Sequence, residues 1–242
     1  MNNLFSLRDV AFGDVVLPPC VDIAAGQVTF ICGKSGRGKS TLLKLLGGMV
    51  TADAGTVQYW DKDVEEYDPV LLRREVLLCL QATYLFEGTV ADNFEQYYQY
   101  RELPAPGELA MRDYLDICAI DFPLDADCGA LSGGERHRIY LAICLSLQPK
   151  ALLLDEPTSA LDDATAGEVL SKLTAHCRTN DIDLVIVSHN EAMTDRFADK
   201  VIRLDNIADD DCGTLDGSSR DDGKPGISSD SAASDGGAPP RE

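Results

Sequence analysis

The 242-residue chain is 45% hydrophobic and carries a formal net charge of −20 at pH 7. Its length has room for one or two domains with a large core, and its acidity argues against a nucleic-acid partner, which requires a basic face. Eight cysteines without a C-x-x-C pair, and three histidines without metal-site spacing, point to reduced thiols and not to a disulfide or zinc scaffold.

Met1 to Phe5 carries no basic leader, and no stretch approaches the roughly 18 apolar residues of a membrane span, so a cytoplasmic chain is expected unless a partner holds it at a membrane. Strand-like runs at Leu4 to Val10 and Val15 to Leu17 are punctuated by Pro18-Pro19 and Ala25-Gly26. Gln27 to Cys32 reads as a buried strand, and Ser40 to Val50 as a helix with Leu42, Leu43, Leu45, Leu46 and Met49 on one face. Between them lies Gly33-Lys34-Ser35-Gly36-Arg37-Gly38-Lys39-Ser40, the G-x-x-x-x-G-K-[ST] pattern. Its glycines turn successive backbone N–H groups inward around phosphates, its Lys reaches the β and γ oxygens, and its Ser hydroxyl serves Mg²⁺. The strand–loop–helix context is the one this chemistry requires.

Thr56 to Trp60, with the turn at Asp61-Lys62-Asp63, reads as a hairpin of a small antiparallel sheet. Val76 to Leu80, Ala151 to Asp155, Asp183 to Val187 and Lys200 to Leu204 are continuous apolar runs, which suit a parallel sheet covered on both faces. From Ala91 to Leu131 the period is helical, broken by Pro104 and Pro106. Phe94, Tyr97, Tyr98 and Tyr100 crowd its first helix, either packing that insert's own core or offering a docking surface. From Asp205 to Glu242 the composition shifts to Asp, Gly and Ser with a net charge of −7, which is too polar to offset ordering and is expected to be a solvated tail.

Two further motifs complete the set: Leu131-Ser132-Gly133-Gly134-Glu135 and Leu152-Leu153-Leu154-Asp155-Glu156. With the phosphate loop, they resemble the ATP-binding-cassette (ABC) ATPases over residues 4 to 204. The resemblance implies an α/β P-loop NTPase with a RecA-like parallel-sheet core, a small antiparallel β-subdomain and an inserted α-helical subdomain at about 91–140, all within a cassette of residues 1–204. It implies that ATP is held by Gly33, Lys34, Ser35, Gly36, Arg37, Gly38, Lys39, Ser40 and Thr41, with Phe12 as the candidate for stacking on adenine. Mg²⁺ would be held by Ser40, Asp155 and Gln81, the last resembling the family's Q-loop glutamine. Glu156 resembles the catalytic carboxylate and His189 the switch histidine, so Glu156, His189, Gln81 and Lys39 are the candidate catalytic residues. Ser132, Gly133, Gly134 and Glu135 of the signature and Asp162 of the D-loop would address the ATP of a second copy, implying a homodimer around two nucleotides.

Leu85 to Asn93 resembles the LF-x-GT-[IV]-x-x-N run of exporter-type cassettes and the subunits of iron-export systems. The implied partners are integral membrane permease subunits, with the chain at the cytoplasmic face of the membrane. Some features depart from the family: Arg37 stands at a usually small position, Glu135 and His137 where Gln is commoner, and Ile143 where Arg often follows Ala. The alternative is a soluble cassette ATPase acting on a macromolecular complex. Chromosome and repair members carry long coiled-coil insertions and translation members two cassettes, neither of which is present.

Overall fold

A computed structural model describes residues 2–82 and 84–205, so the expectation for residues 206–242 lies outside the described residues. Two sheets are built side by side. The antiparallel one uses β1 (Asn3–Phe12), β2 (Val15–Val16), β3 (Cys20–Ala24), β5 (Ala54–Tyr59) and β6 (Lys62–Asp63), with β1 paired to β2, β3 and β5. The β5–β6 hairpin turns through Trp60 and Asp61, both at positive φ (48° and 60°), as a tight two-residue connection requires. β3 has no counterpart in the sequence reading, because Pro18-Pro19 and the short Cys20 to Ala24 run look like a loop on pattern alone.

The second sheet is wholly parallel in the order β10-β4-β9-β8-β7: β4 (Val28–Cys32), β7 (Val76–Cys79), β8 (Ala151–Asp155), β9 (Asp183–Val187) and β10 (Lys200–Arg203). Successive side chains of one strand enter opposite cores. Phe30, Leu152, Leu154 and Ile186 pack towards α3 (Val90–Tyr100), α4 (Glu108–Ile117), α5 (Gly133–Ser146) and α6 (Asp163–Thr179). Ile31, Leu153 and Val185 pack with Leu42, Leu43, Leu45 and Leu46 of α1 (Lys39–Leu46) and with the antiparallel sheet. This double burial explains why the strands read as unbroken apolar runs.

Met49 departs from the expected apolar face of α1. The helix stops at Leu46, and Gly47-Gly48 turn the chain so that Met49 is 49% exposed. In the helical insert Phe94 and Tyr98 are buried and Tyr97 packs at the core's edge, whereas Tyr100 is exposed. α5 runs on to Ser146, past the expected subdomain edge at 140, because its second half packs under the parallel sheet. Among the described residues no helix is long and apolar enough to cross a membrane, and Cys32, Cys79, Cys118, Cys128, Cys144 and Cys177 are buried free thiols.

Asn93 pins the segment between the parallel sheet and α3. Fully buried, it accepts from Phe86 N (2.8 Å) and donates to Phe86 O (3.2 Å) and Thr89 O (2.9 Å). Thr89 and Asp92 cap the same helix reciprocally. Asn93→Ala strands those backbone groups, with an expected cost of about 2–4 kcal/mol and a melting midpoint roughly 5–15 °C lower. A thermal unfolding curve within a degree of the wild type would show that water satisfies the loop.

Candidate nucleotide site at the carboxyl edge of the parallel sheet

The register sets Ile31, Val187 and Asp155 in one row across β4, β9 and β8. The loops that follow these strands therefore emerge at one edge. After β4 comes the Gly33 to Ser40 loop, with Gly33, Gly36 and Gly38 at φ +156°, +82° and +82°. Gly38 is the N-cap of α1, and a Cβ there would collide with the Val15 side chain, so only glycine lets the β1–β2 hairpin close over the loop. Lys39 is buried, and its ammonium donates to Gly33 O (2.7 Å) and Lys34 O (3.0 Å). Lys34, Ser35, Gly36 and Arg37 are exposed, while Ser40 and Thr41 follow half-buried in the first turn of α1. The positive end of that helix and its free N–H groups make an anion-binding site. Phe12 is half-buried and pairs with Val15 across the hairpin that touches Gly38.

β8 delivers Asp155 and Glu156 to the same edge. Asp155 is 7% exposed, and among the described residues no Lys, Arg or His forms an ion pair with it. A buried carboxylate without a protein cation is costly unless another cation faces it. Glu156 adopts φ +52°, a left-handed conformation unusual for this residue type, and is held there by Glu156 N to Val187 O (3.0 Å) and Ser159 N to Glu156 O (3.2 Å). Its Oε1 lies 3.3 Å from His189 Nδ1, which follows β9. Sequence order put these two residues 33 positions apart; the adjacency of β8 and β9 brings them together.

A cleft of about 330 Å³ joins Gln81, Glu156, Gly134, His137 and Ala160. Gln81 is exposed just beyond β7, and its carbonyl lies 3.4 Å from His137 Nδ1. The sequence treated His137 only as a departure; here it ties α5 to the Q-loop. Ser132 is the N-cap of α5. Its N–H and hydroxyl donate to Glu135 Oε2 at 2.8 and 2.7 Å, and these bonds hold the Glu135 carboxyl below the usual range. Gly133 has open space around it, while Gly134 faces Ala160 of the same chain. Asp162 caps α6, accepting from Ala164 N, Thr165 N and the Thr165 hydroxyl, and its carboxyl is lowered chiefly by the Thr165 backbone bond.

Burial pushes the His137 pKa below the ordinary imidazole value, against smaller opposite pulls from the Gln81 carbonyl and Asp155, and among the described residues its buried Nε2 has no hydrogen-bond partner. The folded chain therefore favours the neutral ring. That contribution to stability is whole above about pH 6.5 and declines as pH falls from there towards the depressed native value. His137→Gln should flatten the fall in melting temperature between about pH 6.5 and 5, leaving a residual slope from His176, which burial also lowers. An unchanged slope would place the acid sensitivity elsewhere.

A family model described as ABC transporter matches residues 19–159. The chain is 37% identical over 206 residues to the probable iron export ATP-binding protein FetA of Escherichia coli K12, covering 83% of this chain and 91% of that one. It is 36% identical over 190 residues to the putative ABC transporter ATP-binding protein YjkB of Bacillus subtilis 168, covering 78% and 74%. Among solved structures, cbiO1 of Clostridium perfringens, part of the ABC transporter complex cbiONQ, superposes with a TM-score of 0.70 at 22% identity, over 84% of this chain and 85% of that one, which shows the shared fold. The chain belongs to the ABC transporter family and is one of its ATP-binding, ATP-hydrolysing cassettes.

Proposed function

We propose that residues 1–204 form a cassette that closes as a homodimer around two ATP molecules at the cytoplasmic face of a membrane, and so drives transport through separate permease subunits. The observation that carries this reading is the row Ile31, Val187 and Asp155. It sends the phosphate loop, the Asp155-Glu156 pair and His189 out of one sheet edge, with Glu156 and His189 3.3 Å apart. Phosphoryl transfer to water needs little beyond positioning and charge stabilisation, and this edge supplies both.

Gly33 to Thr41 cradle the phosphates, Lys39 neutralises the β and γ oxygens, and Phe12 stacks on adenine from the hairpin. The Asp155 carboxylate, the Ser40 hydroxyl and the Gln81 amide are a hard oxygen set of the kind Mg²⁺ prefers, and the uncompensated burial of Asp155 fits a cation there. Held by these residues, Mg²⁺ would supply neutralisation of phosphate charge. Glu156 accepts the proton of the attacking water, and its strained backbone keeps the carboxylate at the edge. His189 holds Glu156 through Nδ1, which leaves Nε2 for the γ-phosphate.

In this reading the signature acts on the nucleotide of a partner copy, where Ser132, Gly133 and Gly134 open a helix towards phosphate and Asp162 lies across the interface. Phe86 touches Tyr84, Tyr97 and Tyr100 with ring centroids 4.9, 5.5 and 5.8 Å away, and Tyr84 and Tyr100 are each 65% exposed. This aromatic patch, which includes the segment after Gln81, is the surface we assign to the permease. Cargo is bound by the permease and leaves no mark on the cassette; iron export, named for FetA, is one candidate.

Glu156→Gln should bind ATP normally and turn over about 10²- to 10⁴-fold more slowly, accumulating as an ATP-bound dimer on size exclusion. Near-normal steady-state turnover would remove Glu156 from the role of base. The composite site predicts complementation: Lys39→Ala and Ser132→Arg chains, each inactive, should regain part of the ATPase rate when mixed, because one heterodimer site keeps both halves intact. Heterodimers that form and stay inactive would contradict it.

A further inference from the structure

Gly33 and Lys34 share one peptide group, and both of its polar ends are held by charge. Its carbonyl accepts from the Lys39 ammonium at 2.7 Å. Its N–H, on Lys34, lies 3.1 Å from each carboxylate oxygen of Asp205. Asp205 Oδ1 is also 3.5 Å from Arg37 Nε. Asp205 is the first residue of the expected tail, yet its carboxylate accepts from the phosphate loop. The sheet explains how it arrives: β10 runs parallel to β4 with Arg203 opposite Cys32, and Leu204 N donates to Cys32 O at 2.9 Å, so the two chains leave the sheet side by side.

Three physical consequences follow. Gly33 has φ +156° and no side chain, so sterics alone leave the plane of the following peptide free to rotate. A charge-assisted bond to its N–H removes that freedom. Fixing the plane keeps Gly33 O aimed at Lys39, and polarising the N–H strengthens the carbonyl as an acceptor. The cost of this arrangement is an anion beside a site for triphosphate. Arg37, at a position where the family usually has a small residue, neutralises it.

We propose that Asp205 is a positioning residue for ATP binding, acting through the Gly33–Lys34 peptide on Lys39, and that Arg37 is its matched counter-charge. The proposal rests on the assignment of the Gly33 to Ser40 loop as the ATP phosphate site. In the full-length protein, Asp205→Ala should weaken Mg-ADP binding and raise the KM for ATP by about 10-fold, with kcat within about 2-fold of wild type. Asp205→Asn keeps an oxygen for Lys34 N–H and should recover most of that loss. Arg37→Ala leaves the carboxylate uncompensated and should weaken binding, and adding Asp205→Asn to it should restore affinity.

Wild-type affinity in Asp205→Ala, an Asn variant as impaired as the Ala variant, or a parallel fall in kcat and KM effects would overturn the proposal. Should Asp205→Ala fail to fold, the Arg37→Ala and Arg37→Ala/Asp205→Asn pair decides it: recovery supports the matched charge, and no recovery refutes it. Lys39→Ala separates the two levels. If it binds Mg-ADP as well as wild type, the loop assignment itself fails; if it loses binding while Asp205→Ala does not, only the role of Asp205 fails.

Discussion

A parallel sheet buried on both faces confines the polar groups of its inner strands to the strand ends, and here the motif residues gather at the carboxyl ends. In β4 and β8 every residue is buried, and β9 is buried from its second residue on. Charged side chains are confined to the ends of these strands, so Asp155 closes β8, while Glu156, the histidine and the glycine loop stand just beyond the last strand residue. Strand order then does the assembling. β9 lies between β4 and β8, which places His189 between the phosphate loop and Glu156 and makes the 3.3 Å contact possible.

The loops at this edge are shaped by hydrogen bonds within the chain, and helix caps make many of them. Ser132, Asp162 and Asn190 each accept backbone N–H bonds of the helix that follows, contributing about 0.5–2 kcal/mol apiece. The signature serine and the D-loop aspartate therefore have a structural use within their own chain, alongside the role proposed for them across a dimer interface. Glu135 reinforces this economy: it takes both donors of Ser132 while placing negative charge at the positive end of α5. Binding a phosphate at the same helix terminus exchanges one anion for another of higher charge.

Interior hydrogen bonds link these loops to segments distant in sequence. His137 reaches the Gln81 carbonyl from α5, Arg136 bonds the carbonyls of Cys128 and Leu85, and Asn93 holds the backbone at Phe86. Gln81 and Leu85 are thus fastened from the signature helix, and Phe86 of the aromatic patch from α3.

The local elements were legible because each has a periodic or compositional cause. Doubly buried strands are unbroken apolar runs and the P-loop carries its glycines at fixed offsets, while the hairpin expected to turn at Asp61-Lys62-Asp63 turns one residue earlier, at Trp60 and Asp61, with Lys62 and Asp63 in β6. Motif residues such as Lys39, Asp155, Glu156 and His189 could be named because their chemistry is tied to residue type and to position after a strand. What escaped the pattern depends on contacts between segments far apart. Cys20–Ala24 becomes a strand only because β1 is there to pair with it. Met49 leaves the core because two glycines turn the chain. Asp205 looks like the beginning of an acidic tail until the parallel pairing of β10 with β4 sets it against Lys34. Sequence by itself determined which chemistry this chain carries, since residue identity and short spacing specify donors and charges. Tertiary structure alone decided which of those groups meet, because strand order and register, which no local pattern encodes, set the distances between them.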